Sequence, residues 1–141
     1  MQLVMIVEDE DGNAEVLQRL FEASGYRVAL AANGELALAA IAGEKPALIV
    51  SDFMMPRMNG AQLGAAVRAD PAWRDIPFVF VSGSNKAVVT EQFADYDAFI
   101  GKPCSFDDML RVLEPYVTHG RSDVRRGPDA AVRPCGHPTV D

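Results

Sequence analysis

Residues 47–56 read Ala47-Leu48-Ile49-Val50-Ser51-Asp52-Phe53-Met54-Met55-Pro56, an apolar run followed by a carboxylate and a proline-containing loop. A short apolar run bounded by turn residues is typical of a buried strand. Asp52 therefore stands where a buried strand ends and a loop begins, held rigidly on one side and open to solvent on the other. That position suits a nucleophile or a metal ligand.

A second apolar run, Leu3–Val7, also ends in carboxylates, from Glu8 to Asp11. Open α/β sheets form their sites at the carboxyl ends of parallel strands, so these carboxylates can lie beside Asp52. Such a cluster repels itself unless a hard cation neutralises it, and oxygen ligands favour Mg²⁺ or Mn²⁺. The alternative is that the acidic residues only begin a helix, where they interact favourably with its N-terminal dipole.

Composition sets the frame for these motifs. The chain has 141 residues, 49% of them hydrophobic and 23% charged, which predicts one globular domain. The net charge of -7 argues against nucleic-acid binding, which needs a basic face. No signal-like start or membrane-length apolar run is visible, so we expect a cytoplasmic protein without membrane contact. The two cysteines (Cys104 and Cys135) and two histidines (His119 and His137) lack ligand spacing, and we expect reduced thiols and solvated imidazoles.

The chain alternates apolar runs with helical patterns, which predicts β-α units around a parallel sheet. The five predicted strands are Leu3 to Val7, Arg27 to Ala31, Ala47 to Ser51, Phe78 to Val81 and Ala98 to Ile100. The predicted helices end or begin at glycine and asparagine signals: the first stops at Gly25, the second runs from Asn33 to Gly43, and the third starts near Asn59.

The fourth helix, Lys86 to Phe93, is weakly patterned and is expected to be short or mobile. Ser105 can cap a last amphipathic helix, in which Pro115 predicts a kink or an early end. From Thr118 to Asp141 the apolar pattern disappears, which predicts a disordered tail and no second domain.

Two further polar residues follow predicted strands. Ser82 comes directly after the fourth, and Lys102 comes two residues after the end of the fifth. A hydroxyl and an ammonium can bind phosphoryl oxygens while a cation bridges the phosphoryl group to the carboxylates. Asp52 is then left as the nucleophile, and carboxylates do form acyl-phosphates.

Together these residues resemble the receiver domain of two-component response regulators, in a stand-alone form similar to chemotaxis regulators. The resemblance covers about residues 1–117 and rests on Glu8-Asp9, Asp52 with Met55-Pro56 and Asn59-Gly60, Ser82, and Lys102-Pro103. It implies a doubly wound, flavodoxin-like α/β fold with strand order 2-1-3-4-5 and helices on both faces. It also implies a receiver domain over residues 1–117 followed by a tail over 118–141 with no output domain.

The resemblance further implies roles for single residues. Asp52 would accept a phosphoryl group from a histidine kinase or a histidine phosphotransfer protein, and Asp9 with Asp52 would bind Mg²⁺ directly. Glu8 would act through a bound water, and Met54 would supply only its backbone carbonyl to the metal. Lys102, preceding a cis proline bond, would hold a phosphoryl oxygen.

The resemblance also implies a switch. Ser82 would move toward the phosphoryl group and Phe99 would turn inward to fill the space. The fourth helix, fifth strand and fifth helix would then signal to a downstream target protein, with a homodimer possible. Catalysis would be limited to autophosphorylation and autodephosphorylation. Glu8 and Phe99 depart from the commoner aspartate and tyrosine.

Three alternatives belong to other classes. A phosphohydrolase similar to the haloacid dehalogenases needs a second acid two residues after the nucleophile, where Met54 stands. A flavodoxin-like FMN carrier needs a hydroxyl- and glycine-rich loop after the first strand, where the acidic residues from Glu8 to Asp11 would repel phosphate. A degenerate receiver that only binds proteins would be expected to lack one of the phosphorylation residues.

Overall fold

The computed structural model describes residues 2–124 and 132–133. Strands and helices alternate through the whole described chain, as the apolar pattern predicts. In order they are β1 (Leu3–Val7), α1 (Asp11–Ala23), β2 (Arg27–Ala31), α2 (Gly34–Gly43), β3 (Leu48–Ser51), α3 (Gly60–Ala69), β4 (Phe78–Ser82), α4 (Lys86–Gln92), β5 (Ala98–Gly101), α5 (Phe106–Val124) and β6 (Val132–Arg133). Within the described residues, none of these helices is long and apolar enough to cross a membrane.

All strands are parallel and form one sheet in the order β2-β1-β3-β4-β5-β6. The predicted five-stranded order is confirmed, and β6 adds a short strand beyond it. The chain passes from β1 outward to β2 and then returns to β3 on the other side of β1. This reversal opens a crevice at the carboxyl ends of β1 and β3, where sites of open α/β sheets form.

Helices cover both faces of the sheet, because alternate strand residues point to opposite sides. In β1, Val4 and Ile6 belong to the core layer beneath α1 and α5, which includes Phe21, Leu113 and Tyr116. Met5 and Val7, which alternate with them in β1, belong to the layer beneath α2, α3 and α4. The central strands β1, β3 and β4 are buried throughout, as expected of strands covered on both faces.

Asparagine side chains cap three of the helices. Asn33 Oδ1 accepts a hydrogen bond from the Leu36 N–H at 2.9 Å. Asn59 forms a reciprocal capping box with Gln62, and Asn85 caps α4 through the Ala87 N–H at 2.8 Å. These bonds satisfy N–H groups that the first helical turn leaves without partners. The three capped helices follow β2, β3 and β4, so these bonds fix the ends of three loops at the carboxyl edge of the sheet.

The end of α5 differs from the prediction. The helix continues through Pro115, and its non-helical residue is Gly120, with φ 75° and ψ 179°. Because residues 118–124 lie in α5 and residues 132–133 form β6, the disorder predicted from Thr118 onward is wrong for these residues. The rest of the predicted tail, with Cys135 and His137, lies outside the described residues. The sequence pattern missed this extension because polar residues dominate it.

Candidate functional site

The site is built where β1 and β3 end side by side. Val7 pairs with Ser51 in the ladder, so Glu8 and Asp52 leave the sheet at the same level. The Asp52 N–H donates to the Val7 carbonyl oxygen at 3.0 Å, which fixes the start of the loop. Glu8, Asp9 and Asp52 each place a carboxylate oxygen so that the three oxygens lie within 4.8 Å of one another. The three carboxylates that the sequence places at strand ends therefore form one cluster.

Lys102 reaches this cluster from β5. Its Nζ donates to Glu8 Oε1 and to Asp52 Oδ2, both at 3.1 Å. The Lys102 N–H donates to the Ser82 carbonyl oxygen at 3.0 Å, which holds the residue against the end of β4. The peptide bond between Lys102 and Pro103 is cis, as the family resemblance implies. The lysine thus bridges two carboxylates that would otherwise repel each other.

Burial and charge pull the site's ionisable groups in opposite directions. Burial raises the pKa of Glu8, and the ammonium of Lys102 only partly counters it. For Lys102, burial lowers the pKa, but the attraction of Asp52 and Glu8 outweighs it and leaves the pKa raised. Lys102 is therefore held as a cation, whereas a charged Glu8 is costly without a compensating positive charge.

The two carboxylate oxygens of Asp52 have different partners, a backbone N–H for one and the Lys102 ammonium for the other. Its Oδ1 accepts a hydrogen bond from the Phe53 N–H at 2.7 Å, while Oδ2 contacts Lys102. The side chain is 15% exposed, so it stays reachable from solvent. Met54 lies at the surface with 65% of its area exposed, and its side chain offers no acid to the site. This arrangement leaves a positioned carboxylate oxygen that can attack an electrophile.

Ser82 and Phe99 lie one strand away from Asp52. The buried Ser82 ends β4, and its hydroxyl oxygen accepts from the Ser84 N–H at 3.0 Å. The fourth helix is capped by Asn85 and not by Ser82, so the serine hydroxyl has no capping role there. Phe99 is buried, with its ring 6.1 Å from the Phe80 ring.

Two further residues join β5 to α4, and the sequence pattern gave them no role. Tyr96 lies just before β5, and its ring centroid is 6.0 Å from that of Phe99. Its hydroxyl forms a hydrogen bond of 2.8 Å with the Thr90 hydroxyl on α4. Tyr96, which packs beside Phe99, is thus hydrogen-bonded to α4. A buried tyrosine usually finds a polar partner, and that general rule was the only sequence signal for this bond.

Comparisons with known proteins agree with this geometry. A family model described as the response regulator receiver domain matches residues 4–114. The polar-differentiation response regulator DivK of Brucella anthropi is 30% identical over 116 residues, which cover 81% of this chain and 94% of that protein. The signal receiver domain of a histidine kinase from Syntrophus aciditrophicus has a TM-score of 0.73 at 30% identity, covering 91% of this chain and 96% of that one. The chain belongs to the response regulator receiver family, and the hydrolase and FMN-carrier alternatives are set aside.

The match to longer relatives is partial. Response regulator Rre1 of Synechocystis sp. is 29% identical over 133 residues, which cover 91% of this chain but 57% of that protein. The chain thus spans a little over half the length of this curated relative. Receiver domains are signalling switches of two-component systems, and this chain contains such a domain.

Proposed function

We propose that this receiver is switched by phosphorylation of Asp52 in the presence of Mg²⁺. The observation that supports it best is the charge arrangement at the carboxyl edge of the sheet. Asp52 shares Lys102 with Glu8 at 3.1 Å, and its other oxygen is fixed by a backbone N–H. The nucleophile is oriented, and a cation is already present where negative charge would arrive.

In the proposed step, a carboxylate oxygen of Asp52 attacks the phosphorus of a donor. The bond from phosphorus to the donor's leaving atom breaks, and the leaving group carries away its electron pair. Lys102 exchanges its contact with Asp52 for a phosphoryl oxygen. Ser82 moves toward the phosphoryl group and donates its hydroxyl hydrogen to a second phosphoryl oxygen. The Phe99 ring then turns inward to fill the space that Ser82 leaves.

The donor set fits Mg²⁺. Three carboxylate oxygens within 4.8 Å of one another are hard ligands of the type that magnesium prefers. Asp9 and Asp52 would bind the ion directly, Glu8 through a water, and Met54 through its backbone carbonyl. The ion would supply charge neutralisation and bind phosphoryl oxygens. The chain's own contribution is to hold Asp52 and Lys102 in place before the donor arrives.

We further propose that a histidine kinase or a histidine phosphotransfer protein supplies the phosphoryl group. The surface of α4, β5 and α5 would pass the signal to a target protein. Support comes from the Thr90–Tyr96 bond, since it links Phe99's neighbour to α4. Cytoplasmic location and the absence of nucleic-acid contact stay predictions.

Intact mass after incubation with acetyl phosphate and MgCl₂ tests the proposal. We expect the wild type to gain one phosphoryl group, and Asp52→Asn or added EDTA to abolish the gain. Asp75→Asn is the matched control, because Asp75 is an exposed carboxylate paired with Lys45 elsewhere on the surface. A folded wild type that forms no adduct would instead support a receiver that binds partners without phosphorylation.

A further inference from the structure

The chain beyond the α5 core is fastened to the start of β5. Gly120 leaves helical geometry at φ 75°, a conformation that favours glycine, and Arg121 follows directly. The Arg121 guanidinium donates to Asp97 Oδ1 from Nε at 3.0 Å and to Asp95 Oδ1 from Nη2 at 2.6 Å. Its Nη1 also donates to the Arg74 carbonyl oxygen at 3.2 Å. We call this set of contacts the Arg121 latch.

The latch rests on a fixed partner. Asp97 is fully buried, and its Oδ2 accepts from the Phe78 N–H at 2.8 Å and from Arg68 Nη2 at 3.0 Å. A buried carboxylate held by backbone and arginine donors has little freedom to move. Because Arg68 and the Phe78 N–H would stay, removing Arg121 alone would not leave Asp97 without a charge partner. We therefore expect the protein to stay folded when the latch is opened.

Val132 and Arg133, which follow the latch in the chain, lie beside β5. Val132 pairs with Phe99 and Arg133 with Ile100, so β6 runs parallel to β5 along its outer side. The eight steps from Val124 to Val132 can span at most about 26 Å when extended, which is more than the length of a four-residue strand. Without β6, β5 would be an edge strand with unpaired backbone groups. This edge lies between α4 on one face of the sheet and α5 on the other.

The hydrogen-bond direction identifies the amide that reports on this edge. The Lys102 N–H donates to the Ser82 carbonyl oxygen at 3.0 Å, and Ser82 pairs with Gly101 in the parallel ladder, so the Lys102 N–H points toward β4. Backbone N–H groups alternate in direction along a strand. Ile100 therefore also directs its N–H inward to β4, whereas Phe99 directs its N–H outward to β6. One amide senses β6, and its neighbour serves as an internal control.

We propose that the outer edge of β5 is an interaction surface whose resting occupant is this chain's own C-terminal segment, held there by the Arg121 latch. Two independent contacts carry it, the latch at the base of β5 and the β6 ladder beside Phe99. A tethered strand acts at a high effective concentration, so a partner that adds an extended segment to this edge must first displace it. An effect of this displacement on signalling rests on the proposed function, because the edge adjoins Phe99. Occupancy of the edge by β6 does not depend on the proposed function.

Hydrogen exchange of single amides, measured by NMR on the unphosphorylated full chain, tests the proposal. Val132→Pro combined with Arg133→Pro removes both backbone N–H groups of β6, of which that of Arg133 faces β5, since proline has no N–H. Arg121→Gln opens the latch, and Arg111→Gln is its matched control, because Arg111 is an exposed arginine on the same helix paired only with Asp108 among the contacts described. The Ile100 amide, which faces β4, shows in every variant whether the sheet is still folded.

We expect the Phe99 amide to exchange about tenfold faster in the proline variant, as losing one net backbone hydrogen bond implies. Arg121→Gln should move Phe99 in the same direction, while Arg111→Gln and the Ile100 amide stay unchanged. Fast exchange of Phe99 in the wild type, with no response to either variant, would overturn the proposal. A response to the prolines but not to Arg121→Gln would overturn the latch as the holding element. None of these results depends on Asp52 being phosphorylated.

Discussion

Gly60→Ala is expected to destabilise the domain and to disturb the loop that carries Asp52. Gly60 is the first residue of α3, and its N–H donates to the Phe53 carbonyl oxygen at 2.8 Å. A Cβ at this position would overlap the Asp52 carbonyl oxygen and would lie 2.7 Å from Phe80 Cε1 and 3.1 Å from Phe53 Cα. Two of these three atoms belong to the backbone, so a rotamer change cannot relieve the overlap.

The size of the effect follows from two opposing contributions. Forcing an extra methyl group into a packed site costs about 1–3 kcal/mol. Alanine restricts the unfolded chain more than glycine does, which returns about 0.4–1 kcal/mol. The net loss is about 1–2 kcal/mol, and a domain of this size loses about 4 °C in Tm for each kcal/mol. We therefore expect Tm to fall by about 4–8 °C.

Thermal denaturation followed by circular dichroism in EDTA measures this change. Gly83→Ala is the matched control, because a Cβ there meets nothing within 4 Å, and its Tm should stay close to that of the wild type. The yield of phosphorylated protein from acetyl phosphate should fall for Gly60→Ala only. An unchanged Tm for Gly60→Ala would contradict this expectation, since the loop would then shift to make room for the methyl group at no cost in stability.

Three further changes test the site and the link to α4. Lys102→Gln leaves the carboxylates of Glu8 and Asp52 facing each other, so we expect the free energy of unfolding, measured by urea denaturation without Mg²⁺, to fall by about 1–2 kcal/mol. Added Mg²⁺ should restore part of this loss. Equal stability of the variant and the wild type in EDTA would contradict the prediction. Burial raises the pKa of Glu8, so the charged carboxylate lowers the stability of the folded state as pH rises above the group's ordinary pKa of 4.5. In EDTA, Glu8→Gln should therefore be more stable than the wild type at pH 7.5, and this gain should be smallest near pH 4. The reverse order would contradict the direction of the pKa shift. Tyr96→Phe and Thr90→Val should show a coupling free energy of about 0.5–1.5 kcal/mol in a double-mutant cycle, and strictly additive losses would show that their hydrogen bond contributes nothing.

The strands and the acidic cluster could be predicted because local patterns encode them. Runs of three to five mostly apolar residues gave all five predicted strands, and the observed bounds differ by at most one residue, as at Leu48, Ser82 and Gly101. Carboxylates directly after two such runs indicated that Glu8 and Asp52 would meet at one sheet edge, as they do. In a parallel sheet, position along the chain is enough to place a strand-end residue at the common edge.

The connections between distant residues could not be predicted in this way. Asp97, Arg68 and Arg121 are separated by tens of residues, and their charges looked like ordinary surface charges until the fold buried Asp97 between two arginines. Polar composition after Thr118 indicated disorder, because a composition argument weighs only apolar burial and takes no account of ion pairs. The helix extension through residue 124 and the β6 ladder depend on contacts that this argument does not count.

Local patterns in the chain are enough to give the fold class and to show which carboxylates and lysine share the sheet edge, and the family resemblance adds the strand order. Which side chains bond to which follows only from the folded arrangement, because pairings such as Lys102 with Glu8, Tyr96 with Thr90 and Arg121 with Asp97 depend on distances of about 3 Å across separate elements. Periodicity states which face of an element is buried, and strand order states which ends are neighbours. Hydrogen bonds and ion pairs require positions fixed to a fraction of an ångström, and those are set by the packing of the two core layers.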